Sequence, residues 1–432
     1  MDTQRVYCGA AERRASRKIV LVSLAIVSAW VTAGVASAQS TARDSLAERL
    51  RRAEAAITAL QLQVAEQAES GTKARSGVRM ELNGRVMVNG FGNIRRVNNV
   101  DNPQFVLPDA GAPARGVGMA IRQTRLGLSI TAPEVLGGAF NGDVDVDFYG
   151  GQQSSSGGRT FPLLRLRTAR GFVRWPNAQL MIGQESPLIS GINPVTPAAV
   201  GTPEFAAAGN LWLWLPQVRF GVEQRSAKNP GKLHFGIDAA VLAPTSGDPA
   251  AQFDTDYDLA ERSQRPFLQA RVHAKWGEGE SAHEIGCGVH QGWLVPVVDR
   301  VDSRALACDA ILPLDEWLEL RGELFSGEGL RGLGGGGIGQ NFTPSNTALK
   351  SKGGWAQVNL RPAFWFRYGA GCGVDHPDPS VVRRRNDACS TYAIVRPSGP
   401  LFFGAELRRT RTEYVTGRYT SDHVTLSAGF EF

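Results

Sequence analysis

Three aspartates alternate with valines over Asp143-Val144-Asp145-Val146-Asp147, while Arg125, Arg165, Arg167, Arg219 and Arg271 stand in other segments that alternate polar with apolar residues. Spacing of two puts such side chains on one face of a strand. The chemistry on offer is electrostatic, since a row of guanidiniums lowers the entry cost of an anion and acids set against bases create a field. In the alternative reading the arginines pair with the aspartates and stiffen the wall. Catalysis has the weaker case. A serine nucleophile needs a base within reach, and His234, His273, His283, His290, His376 and His423 fall in no evident nucleophile motif. The chain is therefore read as no enzyme, and no cofactor is expected. The glycines from Gly332 to Gly339 lack the Lys-Ser/Thr that completes a phosphate loop, so a surface loop is expected there.

The cysteines are few. Cys8 lies in the N-terminal leader, and Cys287, Cys308, Cys372 and Cys389 allow three pairings. Their spacing matches no tight metal knuckle, so no metal is expected. Cys287 with Cys308 and Cys372 with Cys389 lie in neighbouring segments, which permits bridges without requiring them.

The elements that must position these groups begin after an export signal. Arg13, Arg14, Arg17 and Lys18 precede an apolar run from Ile19 to Val35, and Ala36-Ser37-Ala38 supplies a small-x-small cleavage site, so residues 1–38 read as a signal peptide. The net charge of +6 includes this basic leader, and no nucleic-acid partner is inferred from it. Residues 39–70 carry Leu46, Leu50, Ala53, Ile57, Leu60 and Val64 at alternating spacings of four and three, the seam of a coiled coil. Arg49 and Glu54 fall where parallel helices form interchain ion pairs. A segment this short needs a second oligomer contact.

Beyond a linker at 71–80 the period changes to two. Val424, Leu426, Ala428, Phe430 and Phe432 share one face, opposite Thr425, Ser427, Gly429 and Glu431. A terminal strand ending in Phe resembles the signal read by the outer-membrane assembly machinery. No second apolar stretch of roughly 18 residues follows the leader, so any membrane insertion must use strands, whose backbone groups are satisfied only in a closed barrel.

Alternation and turn residues predict an all-β fold over 81–432, a transmembrane antiparallel barrel of about sixteen strands. They lie near 82–92, 119–131, 138–150, 163–175, 178–185, 216–226, 231–242, 266–277, 281–293, 303–312, 316–326, 353–362, 363–372, 389–396, 400–414 and 420–432. Short turns at Pro176-Asn177, Lys228-Asn229-Pro230, Glu278-Gly279-Glu280, Pro313-Leu314-Asp315, Arg361-Pro362 and Pro397-Ser398-Gly399 alternate with loops near 93–118, 151–162, 186–215, 243–265, 327–352 and 373–388. Trp175, Trp276, Trp317, Trp355 and Tyr414 are placed at aromatic girdles.

A barrel of this size leaves an aqueous bore unless something narrows it. The segment from Ser186 to Leu215 has Glu204 as its one acid, no Lys or Arg, and the apolar run Leu211-Trp212-Leu213-Trp214-Leu215. Water is a poor environment for it, so Glu204, Trp212 and Trp214 are expected on a constriction loop inside the barrel; an extracellular loop or an oligomer contact is the alternative. Passive diffusion of small polar solutes follows, with anions such as carboxylates preferred. A barrel that merely anchors surface loops is the rival reading.

Arg165-Leu166-Arg167-Thr168-Ala169-Arg170-Gly171, Ile182-Gly183-Gln184, Gly332 to Gln340, Gly371 to Asp378, Arg411-Thr412-Glu413-Tyr414 and Val424 to Phe432 together resemble the DcaP-like porins. The resemblance implies a homotrimer held by coiled coil and barrel wall, a sixteen-stranded barrel in outer-membrane lipid, a periplasmic stalk, and uptake of small, often dicarboxylic, anions. It assigns pore-lining arginines to Arg165 and Arg167. The phosphate-selective O/P porins are the nearest type to confuse with it.

Overall fold

The computed structural model describes residues 72–73, 77–109, 111, 115–150, 162–224, 231–248 and 256–432. The expected signal peptide, the coiled coil and the turn at Lys228-Asn229-Pro230 lie outside the described residues.

From Thr72 onward the chain forms one antiparallel sheet closed on itself. Its strands are β1 (Arg79–Asn93), β2 (Gly116–Ala120 continued by Arg125–Val135), β3 (Gly138–Asp147), β4 (Arg165–Arg174), β5 (Ala178–Glu185), β6 (Leu215–Glu223), β7 (His234–Leu242) and β8 (Phe267–Trp276). The second half comprises β9 (His283–Leu294), β10 (Val301–Asp315), β11 (Leu318–Glu328), β12 (Lys350–Ala363), β13 (Phe366–Pro377), β14 (Arg383–Val395), β15 (Leu401–Tyr414) and β16 (Gly417–Glu431). Both parts of β2 pair with β1, so they form one interrupted strand. A two-residue strand, Thr72–Lys73, adds to the start of β1. Pairing of β16 with β1, from His423↔Asn93 to Glu431↔Arg85, closes the wall.

The pleat is inverted relative to a soluble sandwich. On β8, Leu268 and Val272 are 43% and 57% exposed, whereas Gln269 and Arg271 between them are 4% and 5% exposed. Apolar side chains thus face outward and polar ones face the enclosed bore, the arrangement hydrocarbon requires.

One rim carries short turns at 136–137, 175–177, 277–282, 316–317, 364–365 and 396–400, together with both ends of the barrel. Connections of 94–115, 148–164, 186–214, 243–266 and 329–349 occupy the other. That rim is not uniformly long, because 295–300, 378–382 and 415–416 are also tight. The expected loop at 373–388 is mostly strand: β13 and β14 stay paired up to Asp375↔Asn386. Likewise Pro313 to Asp315 and Arg361-Pro362 lie at the ends of β10 and β12, and the turns come two or so residues later. Proline was read as a breaker there, but near a strand end its missing N–H costs the ladder little.

Two aromatic expectations also change. Trp175, Trp276 and Trp317 sit at the short-turn rim, but Trp355 and Tyr414 are buried and point inward. Trp355 packs on Phe205 with ring centroids 6.2 Å apart, and the Tyr414 hydroxyl donates to the Val106 carbonyl at 2.8 Å.

Disulfides join Cys287 to Cys308 and Cys372 to Cys389. Each links residues directly opposite on adjacent strands, β9 with β10 and β13 with β14. All four share the outward parity of Ile285, Leu306 and Tyr368. Peptide mapping without reduction should find these two bridges alone; a cross-paired product would show that the register of these four strands is wrong.

Candidate functional site

The 186–214 loop enters the lumen, and the wall is built to receive it. Its backbone carries many N–H and C=O groups that need partners once buried. Inward side chains supply them around most of the circumference. Gln269 on β8 accepts from the Ile189 N–H at 3.3 Å, and Gln357 on β12 exchanges two bonds with Val195 at 2.7 and 2.8 Å. Gln123 accepts from the Val200 and Gly201 N–H groups at 2.6 and 3.1 Å. Gln123 reaches the loop because β2 is interrupted at 121–124, a local break that re-aims a side chain as a bulge does. Glu323 on β11 accepts from the Ser190 hydroxyl at 2.7 Å and the Leu211 N–H at 3.2 Å.

Apolar packing supplies the driving force. Leu188, Ile189 and Leu211 are buried against Phe267, Phe325 and Leu333. At about 2 kcal/mol per buried Leu or Ile, these three contribute roughly 6 kcal/mol toward holding the loop inside.

Two further loops follow it inward. The glycine-rich stretch is not a surface loop, since Gly332, Leu333 and Gly335 to Ile338 are all buried. The Leu333 carbonyl accepts from the Trp212 and Leu213 N–H groups at 2.9 and 3.0 Å. Gly335 passes so close to the Asn210 carbonyl that a Cβ would overlap it. The N–H groups of Gly337 and Ile338 do form an anion-holding turn, but Asp375 on β13 fills it at 3.2 and 2.9 Å. From the 94–115 loop, Asn102 and Pro103 accept from Arg408 at 3.1 and 3.0 Å.

The charged residues expected along the bore fall into three groups. Arg125, Asp143, Asp145, Asp147, Arg165 and Arg167 are neighbours on one wall and neutralise one another. Arg125 meets Asp145 at 2.7 Å, Arg165 meets Asp147 at 2.6 Å, and Arg167 bridges Asp145 and Asp147 at 2.9 and 3.0 Å. Acids and bases here do not oppose each other across the bore. Arg165 and Arg167 also donate to the Gly201 and Val200 carbonyls and lie over the Trp214 ring, 5.2 and 4.4 Å from its centroid. Trp214 meets Trp212 edge to face at 5.2 Å. The arginine cluster therefore clamps the middle and the C-terminal end of the loop to β4.

Arg271 belongs to the second group, bonded to Asp309 and, at 3.2 Å, to Glu284. Arg219 differs. It donates to the Ser186 carbonyl at 3.1 Å and to Gln217 at 3.0 Å, and among the described residues it forms no ion pair. Arg219, Arg271, His273 and Lys275 share with Glu223, Asp238 and Glu284 a cavity of about 300 Å³ on the short-turn side of the loop.

The third group lies at the loop's midpoint. Glu204 is fully buried beside Arg408 at 3.4 Å, and Arg408 also holds Glu406 at 2.6 Å. Burial, with the Glu406 carboxylate adding to it, pushes the Glu204 carboxyl from its ordinary 4.5 up to about 8. Phe430 and Phe432 are exposed on the outer face, and the Phe432 backbone pairs in both directions with Gly84.

Several residues here were not anticipated. Arg170 faces inward because register slips between Asp145 and Val146, making Arg167 a bulge; it then meets Asp143 at 2.9 Å. The arginine spacing of two and then three in this segment is the trace of that slip. Glu323, Glu406 and Arg408 sit at inward parity in their strands, a signal that alternation carries but that names no partner.

The raised Glu204 value has a defined sign. Its neutral form stabilises the folded loop fully below pH 4.5, and that contribution is lost as pH rises through about 8. Protease protection of the 186–214 loop should accordingly weaken between pH 5 and about 8.5, and Glu204→Gln should flatten the profile. Equal pH sensitivity in the variant would assign the effect to another group.

No family model and no curated protein matches this sequence. Solved structures do. The outer-membrane channel DcaP of Acinetobacter baumannii is similar with a TM-score of 0.64 at 17% identity, over 84% of this chain and 99% of that one. An anion-selective porin from Comamonas acidovorans is similar with a TM-score of 0.51 at 10% identity, over 82% and 100%. At such identities the likeness establishes the fold, and the chain has the sixteen-stranded barrel fold of these outer-membrane channels.

Proposed function

We propose that this protein is an outer-membrane porin giving passive, anion-preferring passage to small polar solutes, carboxylates among them. The apolar outer belt suits hydrocarbon, and the rim with the long loops then faces the cell exterior while both barrel ends face the periplasm. The 186–214 loop serves as the constriction, with Glu204, Trp212 and Trp214 fixing its course. A homotrimer, with the 39–70 segment as its periplasmic stalk, agrees with the resemblance to DcaP-like porins; Phe430 and Phe432 would serve the assembly machinery.

The observation that carries the anion preference is Arg219. Most inward arginines are spent on carboxylates, and a paired guanidinium attracts an anion only weakly. Arg219 hydrogen-bonds only neutral oxygens and borders the cavity beside the loop, where the Asp238 carboxylate attracts it without pairing with it. Its charge is therefore cancelled less than that of the paired arginines and acts on what passes. Packing of three loops into the lumen favours a second reading, an anchor with a closed bore. Planar-bilayer recording separates the two, because an anchor shows no ohmic steps.

In a salt gradient the wild-type reversal potential should report anion selectivity. Arg219→Glu should lower the anion-to-cation permeability ratio by roughly tenfold at low salt, with less effect at high salt. Arg165→Gln, at a neutralised pair, should change selectivity far less. A cation-selective wild type would reject the assignment.

A further inference from the structure

The outer wall is apolar through its middle and charged toward the loop rim, and on β14–β16 that charged tier is neutralised within itself. Arg409 meets Asp422 at 2.6 Å, Arg411 meets Asp387 at 3.0 Å, and Arg385 meets Asp387 at 2.7 Å. On β12 it is not. Lys350 and Lys352 both face outward and exposed, and among the described residues neither forms an ion pair. Lys352 stands between Ser326 of β11 and His376 of β13 in one cross-strand row. The row toward the membrane middle holds Gly354 between Val374 and Leu324, which is 69% exposed. Small residues at Ser326 and Gly327 leave a groove of about 650 Å³ beside the lysines, walled by Val289, Leu306 and Pro377, with Arg304 and Gln291 also on its lining.

A lysine at the edge of hydrocarbon is costly unless an anion meets it. Here two cations without an ion pair line the same groove as Val289 and Leu306 and adjoin the apolar row of Leu324 and Val374. A single occupant would therefore carry an acyl chain toward the membrane middle and a negative headgroup at the lysines. The row of Lys350 also contains Glu328, its direct cross-strand neighbour, and Asp378, whose N–H donates to the Lys350 carbonyl at 2.8 Å. Two carboxylates beside the lysines disfavour a bare phosphate but accept hydrogen bonds from sugar hydroxyls.

We propose that this outer-wall surface on β9–β13 binds a phosphorylated glycolipid of the outer leaflet, with its phosphate between Lys350, Lys352 and the His376 imidazole and its sugar hydroxyls on Glu328 and Asp378. The inference rests on the reading that the loop rim faces the cell exterior.

Native mass spectrometry of the detergent-purified full chain tests it, with lipid A bearing two phosphates, phosphate-free lipid A and phosphatidylethanolamine as probes. Wild type should prefer the bisphosphorylated form. Lys350→Gln and Lys352→Gln should each weaken it about fivefold, and the double variant about thirtyfold, while Arg409→Gln leaves it unchanged. Phosphate-free lipid A should bind wild type and double variant alike, a readout that misfolding would disturb. Equal affinity for the two forms of lipid A, an unaffected double variant, or crosslinking of Lys352 to a second copy of the chain would overturn the proposal. Bilayer conductance on the same preparation keeps the two readings apart: a chain that conducts normally yet ignores the lipid sinks this inference alone, and one that never inserts sinks the membrane reading beneath it.

Discussion

Within hydrocarbon a strand can place its N–H and C=O groups only on another strand, and each unmet group costs several kcal/mol. This single constraint fixes the closure of β16 onto β1, where pairing runs from His423↔Asn93 to Glu431↔Arg85 and the final Phe432 bonds Gly84 in both directions. A closed wall then fixes side-chain direction everywhere. Residues of one parity meet lipid, those of the other meet the bore, and the polar interior follows from the closure.

A polar interior solves a problem that a soluble core would leave open. Loops brought inside carry backbone groups that must be bonded, and an apolar core offers them nothing. Here Gln123 from the break in β2, Gln269 from β8, Glu323 from β11 and Gln357 from β12 take those bonds. Asp375 does the same for the glycine-rich loop. The apolar segments of the loops then pack on one another, so the lumen contains a small core of its own, with Leu188, Leu211 and Leu333 inside it. Charges follow the same logic of local satisfaction. Asp143, Asp145 and Asp147 are matched by arginines from both adjoining strands, whereas Arg219 hydrogen-bonds only neutral oxygens.

Much of this was legible in the residues. Alternation located the strands, their even number and the inward parity of Arg125, Arg219 and Arg271, because a period of two is imposed by the pleat and appears in any sequence that obeys it. The apolar run from Leu211 to Leu215 marked a loop that water would not hold. Boundaries suffered where proline was taken for an end, as at Pro313 and Pro362, and girdle residues were misjudged where Trp355 and Tyr414 turned inward.

Taken by itself, then, the amino-acid order determined the architecture: a closed antiparallel barrel, greasy outside and polar within, with one loop too apolar to stay out. Tertiary structure alone decided which charges meet. The bulge at Arg167 shifts the face of every later residue in β4, the break at 121–124 swings Gln123 inward, and Glu204 finds Arg408 across some 200 positions of chain. The physical reason is one of range. Periodicity is a local property written along the strand, whereas neutralisation and loop anchoring depend on register and closure, which exist only once distant strands are paired.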